Sequence, residues 1–357
     1  MTRAAVLVHV VGAGIGGSAA ALALHGVGAR VVVHEAHPHS SADAGAFLTL
    51  AENGVRALRA IGADDAVRRA SAPLRTMRVS DGAGAEITSR PLGEPGGPGF
   101  RYLTRARLCA VLQDEVRRRG IPLRHGERLT GIERDGDGVV AVFDDGGRAR
   151  GDLLVGADGL RSTVRTQLDP AAAPPRYVGS QIFYGSTPGT PPGAPTDRIQ
   201  FVRSTSTGSV AFGFIATERD GTWWFARVVG PELAPQQVAT GTTGDWSALL
   251  TDVLREEPLP RSIVAGADRV LVTNAFDLAN VRVWHRDRAL IIGDAAHAAS
   301  PATGQGASMA LEDAVALAGA IRDGAGTDGG GIDAALGRYE ERRRPPVEAN
   351  TAASARM

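Results

Sequence analysis

Val10-Val11-Gly12-Ala13-Gly14-Ile15-Gly16-Gly17-Ser18 places glycines at the GxGxxG spacing, between an apolar run over 4–11 and an alanine-rich run over 18–24. The first run has the pattern of a strand buried on both faces of a parallel sheet, and the second that of a helix. At such a junction Gly12 turns the chain and Gly14 lets the backbone approach a pyrophosphate. Gly17 lets the helix lie against the strand. Ile15 and Gly16 fall in the opening turn of that helix, whose free N–H groups and dipole face the phosphates. A second apolar run, Val31-Val32-Val33-His34, carries Glu35 to its end. A carboxylate there suits two ribose hydroxyls and would repel the extra phosphate of NADP. The expected class is α/β, with a Rossmann-type dinucleotide-binding unit at its head.

The 357 residues are too many for one ordinary core, so two lobes are expected. Lys plus Arg and Asp plus Glu each number 39, which gives no electrostatic reason to expect nucleic acid or an anionic membrane surface. Nowhere does the chain hold an apolar stretch of ~18 residues, so no stable membrane insertion is expected. Residues 1–11 superficially resemble a signal peptide, but the glycine fingerprint that follows makes them the first strand. The single cysteine, Cys109, forbids an internal disulfide and fits a reducing cytoplasm. It stands in the helical pattern of Leu108, Leu112 and Val116 and reads as a structural thiol.

Further along, 53–69 and 105–119 are helical in pattern, and 74–79 with 85–91 form a hairpin around Asp81-Gly82. Strand-like segments follow at 129–133, 139–143 and 148–155, with Asp144-Asp145-Gly146-Gly147 as a turn. Segments 181–184, 199–202, 210–216 and 223–229 are strands rich in aromatic and β-branched residues, a plausible antiparallel lid over a flat substrate. After 266 the chain returns to α/β character, with helices at 304–321 and 332–344, and Pro345-Pro346 is expected to end or kink the last. The organisation expected is discontinuous. Residues 1–72, 100–176 and 266–357 make the nucleotide domain, and 73–99 and 177–265 the substrate-binding β-sheet domain.

Two more motifs complete the pattern. One is Gly151-Asp152-Leu153-Leu154-Val155-Gly156-Ala157-Asp158-Gly159, followed by Arg161 and Ser162. The other is Leu290-Ile291-Ile292-Gly293-Asp294-Ala295-Ala296-His297, followed by Pro301 and Gly304-Gln305-Gly306-Ala307. In this order and spacing the three motifs resemble the class A FAD-dependent aromatic monooxygenases of the p-hydroxybenzoate hydroxylase fold, over the whole chain. The 304–314 segment is most similar to single-component hydroxylases that include tailoring enzymes of antibiotic biosynthesis.

The resemblance implies a cofactor set. Asp294 would accept hydrogen bonds from the ribityl hydroxyls of FAD, and the helix opening at Gly304 to Ala307 would face the flavin's pyrimidine edge. Asp158 and Gly159 would lie near the cofactor, Arg105 would contact it from a helix start, and Thr49, Leu129 and Pro301 would flank it. NADH or NADPH would reduce FAD, O2 would add at C4a, and the hydroperoxide would hydroxylate or epoxidise a small aromatic or polyketide-like molecule. Arg161 and Arg165 are candidates for attracting the NAD(P)H phosphates. No side-chain acid or base is identified, and His297 has no partner at metal spacing. Tyr184, Arg203, Phe212, Phe214, Trp224 and Arg227 are the candidate pocket residues, about half of which must point away because strand side chains alternate.

Two alternatives stand beside this reading: an oxidase or reductase on the same scaffold, and a non-catalytic escort protein of this architecture. Trp223-Trp224 does not form the WxWxIP pattern of flavin halogenases. The end at Met357 argues against the larger relatives with a thioredoxin-like C-terminal domain.

Overall fold

The computed structural model describes residues 5–38, 46–191, 194–203, 210–218, 220–278, 280–300, 303–325 and 331–355. Pro301 lies outside these residues. The glycine fingerprint sits where its pattern puts it, between strand β1 (Leu7–Val11) and helix α1 (Ile15–Gly26). Strand β1 is central in a six-stranded sheet of order β18-β19-β12-β1-β2-β8. The other strands of this sheet are β2 (Arg30–Glu35), β8 (Leu123–His125), β12 (Leu153–Gly156), β18 (His285–Arg286) and β19 (Ala289–Ile291). All pairs are parallel except β18 with β19. Val8, Val10, Leu153, Leu154, Val155 and Leu290 are fully buried, as two-sided covering requires.

Two histidines interrupt these apolar strands, and each satisfies the other. The His9 Nδ1 and His34 Nε2 atoms are 2.8 Å apart, and His34 Nδ1 lies 2.5 Å from Glu127 Oε2. Burial pushes both imidazoles below their ordinary pKa.

A single apolar core joins this sheet to the helices around it: α1, α2 (Glu52–Ala60), α3 (Asp64–Ala70), α4 (Arg105–Arg118), α5 (Thr163–Leu168), α10 (Gly306–Ala325) and α11 (Gly331–Ala355). A three-stranded sheet of β9 (Leu129–Asp135), β10 (Gly138–Phe143) and β11 (Arg148–Gly151) leads into β12. The expected single strand at 148–155 is therefore two, broken at Asp152, whose carboxylate accepts from the Leu7 N–H.

The second large element is a seven-stranded sheet of order β17-β13-β16-β15-β14-β5-β6. Its members are β5 (Thr76–Ser80), β6 (Glu86–Pro91), β13 (Arg176–Thr187), β14 (Arg198–Arg203), β15 (Val210–Ala216), β16 (Thr222–Val229) and β17 (Arg269–Asp277). Pairing is antiparallel save for β5 with β14. Strand β17 corrects the expected boundary at 266. Its alternating residues pair along β13, so it completes this sheet instead of returning to the first.

One face of the sheet is covered by α7 (Thr243–Val253) and α8 (Pro258–Ala265), which follow the short α6 (Pro235–Thr240). The other packs on a small sheet of β3 (Phe47–Leu50), β7 (Phe100–Thr104) and β4 (Ala72–Leu74).

Of the two outcomes expected at Pro345-Pro346, an end to the helix is not what is found: α11 continues through both to Ala355. The prolines remove two backbone donors, but contacts on both sides hold the segment. Arg344 donates to the Val281 carbonyl and its guanidinium lies over the Trp284 ring, while Val347 is buried. Tertiary contacts override the local preference.

The junction of β1 and α1 has no room for a side chain. A Cβ on Gly17 would stand 1.8 Å from the Gly12 carbonyl oxygen. Gly17→Ala should therefore force α1 off β1 and destabilise the protein by about 1–3 kcal/mol or more, the range for overpacking. Its melting temperature, measured without added cofactor, should fall clearly below that of the parent chain.

Candidate active site

Four neighbouring strands of the six-stranded sheet end at one edge, and each delivers one of the expected motifs. In the sheet order β19-β12-β1-β2 these are Gly293-Asp294, Asp158-Gly159, the 12–17 fingerprint and Glu35. With strands about 4.8 Å apart, the four ends span roughly 14 Å. Ligands of open α/β sheets bind at this carboxyl edge.

The edge is built to receive something. Gly14, Gly159 and Gly306 have no atom within 4 Å of where a Cβ would stand, so all three present bare backbone to open space. Gly12 is different: at φ +99° its Cβ would meet the Ala157 carbonyl oxygen at 2.5 Å, so it is required by the neighbouring strand end. The first intrahelical bond of α1 runs from Ser18 N–H to the Gly14 carbonyl, leaving the amides of 15–17 ahead of it. In α10 the first is Met309 N–H to Gln305, leaving those of 306–308. Both helix starts thus offer donors and positive potential.

The side chains match. Glu35 accepts from Ala13 N–H at 2.8 Å and from His37 N–H at 2.9 Å, and its carboxylate keeps further lone pairs for hydroxyl donors. Asp294 opens the single-turn helix α9 (Asp294–His297); its neighbours on both sides are buried, yet it is exposed and has no hydrogen-bond partner among the described residues. The Thr49 hydroxyl lies 3.4 Å from the Cβ position of Gly304, whose φ is +64°. Asn53 donates to the Gln305 side chain at 3.3 Å, fastening α2 to the start of α10. Ala307 is partly buried against the main core. Arg105 opens α4, its N–H on the Ala46 carbonyl. Leu129 is buried at the start of β9, beside Glu127, whose N–H reaches the Glu35 carbonyl.

Some residues take other roles than expected. Asp158 turns into its own loop, accepting from the Ser162 hydroxyl at 2.5 Å and from Val164 N–H, so it steadies the start of α5. Burial pushes its carboxyl up while these bonds oppose the shift. Gly16 packs toward Ala310 of α10, and Ile15 is buried. Arg165 is buried with its guanidinium on the Ala295 and Leu160 carbonyls, so it is not available to a passing phosphate; Arg161 is exposed near the Phe276 ring. Gln113 escaped the sequence reading: from α4 it donates to the Ala13 carbonyl at 2.8 Å, a bond shared by the Ser18 hydroxyl. A polar residue inside the stripe Leu108, Leu112, Val116 was its signal.

On the seven-stranded sheet the register separates the pocket candidates. Paired residues share a face, so Tyr184, Phe225, Gly213 and Phe201 lie on one side and Trp224, Phe214 and Gln200 on the other. Phe212, Phe214 and Trp224 belong to the core under α7 and α8, with Trp246 and Leu250. They are corrected from pocket candidates to structural residues. Tyr184, Arg203 and Arg227 share the opposite face with Trp223, Phe225 and Phe201, which are only partly buried and went unrecognised. Burial pushes the Tyr184 phenol up to about 12, against the pull of the Arg105 charge. A cavity of about 390 Å³ opens on this side, and Arg227 and Ser300 both line it.

The profile of a family described as "FAD binding domain" matches residues 4–354. The chain is 31% identical to aurachin C monooxygenase/isomerase of Stigmatella aurantiaca, over 95% of this chain and 85% of that one. It is also 31% identical to 2-heptyl-3-hydroxy-4(1H)-quinolone synthase of Mycobacteroides abscessus, over 98% and 89%. This chain belongs to the FAD-dependent class A monooxygenases. The monooxygenase superimposes on Klebsiella pneumoniae HpxO complexed with FAD and uric acid with a TM-score of 0.86, at 26% identity, covering 98% of this chain and 87% of that one. The fold is thus that of FAD-binding oxygenases, and no helix among the described residues is long and apolar enough to cross a membrane. The bare glycines, the two helix starts and the unpartnered Asp294 suit FAD.

Two variants test this edge. Asp294→Ala should weaken FAD binding about ten- to a hundredfold, since each hydrogen bond to a charged acceptor is worth ~1.5–3 kcal/mol. Gly14→Val puts its bulk into open space. The apoprotein should therefore melt normally while flavin binding, followed by fluorescence titration, is lost.

Proposed function

We propose that this monooxygenase draws electrons from NADH or NADPH and uses O2 to hydroxylate or epoxidise a flat, carbonyl-bearing aromatic or heteroaromatic molecule, polyketide-like metabolites included. The observation that carries the reading is the single strand edge on which the cofactor motifs gather. The substrate surface we assign to it is the sheet face bearing Tyr184, Trp223, Phe225, Arg203 and Arg227, where Tyr184 feels the charge of Arg105 at the start of α4. Relatives support the substrate class, because a quinolone and uric acid are both flat bicyclic rings with ring carbonyls.

FAD, when bound, supplies electron storage and oxygen activation. The amides of 15–17 would hold its pyrophosphate, Glu35 its ribose and Asp294 its ribityl chain, and the amides of 306–308 would favour negative charge on the part of the cofactor placed against them. Trp223 and Phe225 give the substrate an apolar wall, while Arg203 and Arg227 orient its oxygens. The GxGxxG spacing recurs at Gly324-Ala325-Gly326-Thr327-Asp328-Gly329, but it comes at the end of helix α10 and not after a strand, so it is no second nucleotide fingerprint and the nicotinamide donor visits without a domain of its own. In this reading residues 73–99 and 177–265, completed by β17, choose the substrate, the rest holds FAD, and the enzyme works in the cytoplasm.

With a panel of quinolones, purines and hydroxybenzoates under 18O2, the product should carry one labelled oxygen, with NAD(P)H consumed in step. Unlabelled, dehydrogenated product with peroxide would establish the oxidase reading instead. Trp223→Ala and Phe225→Ala should lower the ratio of product to NAD(P)H with FAD content near normal. Trp224→Ala should act on stability, costing about 3–5 kcal/mol as large core truncations do. Equal coupling in all three variants would remove the aromatic face from the substrate site.

A further inference from the structure

One buried carboxylate ties together the two elements that frame Asp294. Asp313 stands two turns inside α10 and is wholly buried. Its Oδ2 accepts from the Gly293 N–H at 2.9 Å and lies 2.6 Å from His297 Nε2. Its Oδ1 accepts from Arg343 Nε at 2.7 Å, and Arg343 donates further to the Met309 carbonyl and to Glu312. Gly293 and His297 bracket α9, the single turn whose first residue is Asp294. Both ends of that turn therefore hang on one side chain of α10. Asp294 itself is exposed between its buried neighbours. Packing alone does not explain the cluster, since a leucine would fill the space without burying charge. What the carboxylate does is hold a backbone N–H at a glycine of φ +57° and an imidazole one helical turn later.

We propose that Asp313 is the positioning residue for Asp294, and that its contact with a protonated His297 keeps the ribityl-binding carboxylate in register with the start of α10. The proposal rests on the reading of Asp294 as an FAD acceptor. Burial by itself would depress the His297 imidazolium, but the charge and hydrogen bond of Asp313 outweigh it and hold His297 above its ordinary value. Burial would likewise raise the Asp313 carboxyl, and His297 and Arg343 hold it low.

The sign follows: the charged contact is intact below the raised pKa of His297 and is lost as pH rises through it. The other charged or titratable groups facing the cluster are Asp294, Glu312, Arg165, Arg343 and Tyr339. Against the pull of burial, the Asp313 carboxylate holds the Arg343 guanidinium above its usual value, and burial pushes the Tyr339 phenol well above its own. FAD affinity should therefore decline on the alkaline side.

The test is FAD titration of the deflavinated full-length protein from pH 6 to 9.5, by quenching of flavin fluorescence, with the apoprotein's melting temperature followed beside it. The parent chain should lose roughly tenfold in affinity per pH unit above the His297 transition. His297→Gln, a neutral donor at every pH, should bind FAD at pH 7 as weakly as the parent does above the His297 transition, with no further alkaline loss. Asp313→Asn should bind FAD about ten- to a hundredfold more weakly at pH 7. A flat affinity in the parent, or an unchanged alkaline loss in His297→Gln, overturns the proposal even if Asp313→Asn does not fold. Asp294→Ala separates the two readings. If it keeps parental FAD affinity, the assignment of Asp294 is what fails; if it loses FAD while His297→Gln titrates like the parent, only the role of Asp313 fails.

Discussion

The Gly12 carbonyl oxygen and Gly17 approach so closely that nothing larger than hydrogen fits between them. That contact seats the N-terminus of α1 on the end of β1, and the rest of the molecule is arranged around it. Strand β12 comes alongside with the same intolerance, its Ala157 carbonyl against Gly12, and β19 and β2 extend the edge on either side. A helix start is useful to an anion only if its amides are open. Here the close packing beneath the turn and the bare glycines above it are two sides of one arrangement.

The second constraint is the handedness of the seven-stranded sheet's two faces. One face is sealed by α7 and α8 over Phe183, Phe212, Phe214 and Trp224, all buried in one apolar core. The other carries aromatics of similar size that are only partly covered. The difference between structural and available aromatics is a shift of one residue along a strand, since side chains alternate. Trp223 and Trp224 illustrate it, adjacent in sequence and facing opposite sides.

Charge is used sparingly in the interior. The buried His9 and His34 are tied to the partly exposed Glu127 near the β2 end, and His297, Asp313 and Arg343 form a buried charged group at α9. Each lies beside a residue proposed to bind FAD: His34 precedes Glu35 in β2, and His297 closes the turn that Asp294 opens. A buried charge is tolerated only when its partners are fixed. Such clusters therefore make the backbone around them difficult to displace.

What the sequence by itself determined is local. The strand, turn and helix of the fingerprint, Glu35 at a strand end, Asp294 after a strand and the glycines opening α10 are each dictated by residue type at close spacing, because φ, steric bulk and apolar periodicity act over a few residues. The meeting of three distant motifs in one order along a single edge was implied by the family pattern and required the sheet to place them. Only tertiary structure decided the rest. Strand parity separated Trp223 from Trp224, pairing with β13 drew β17 into the second sheet, and contacts from Arg344 and Val347 carried α11 through two prolines. Asp158 and Arg165 were legible as motif residues but not by role, since a carboxylate or guanidinium takes whichever partners the fold brings within about 3 Å, and those partners stand on other elements or on turns whose geometry the sequence does not spell out.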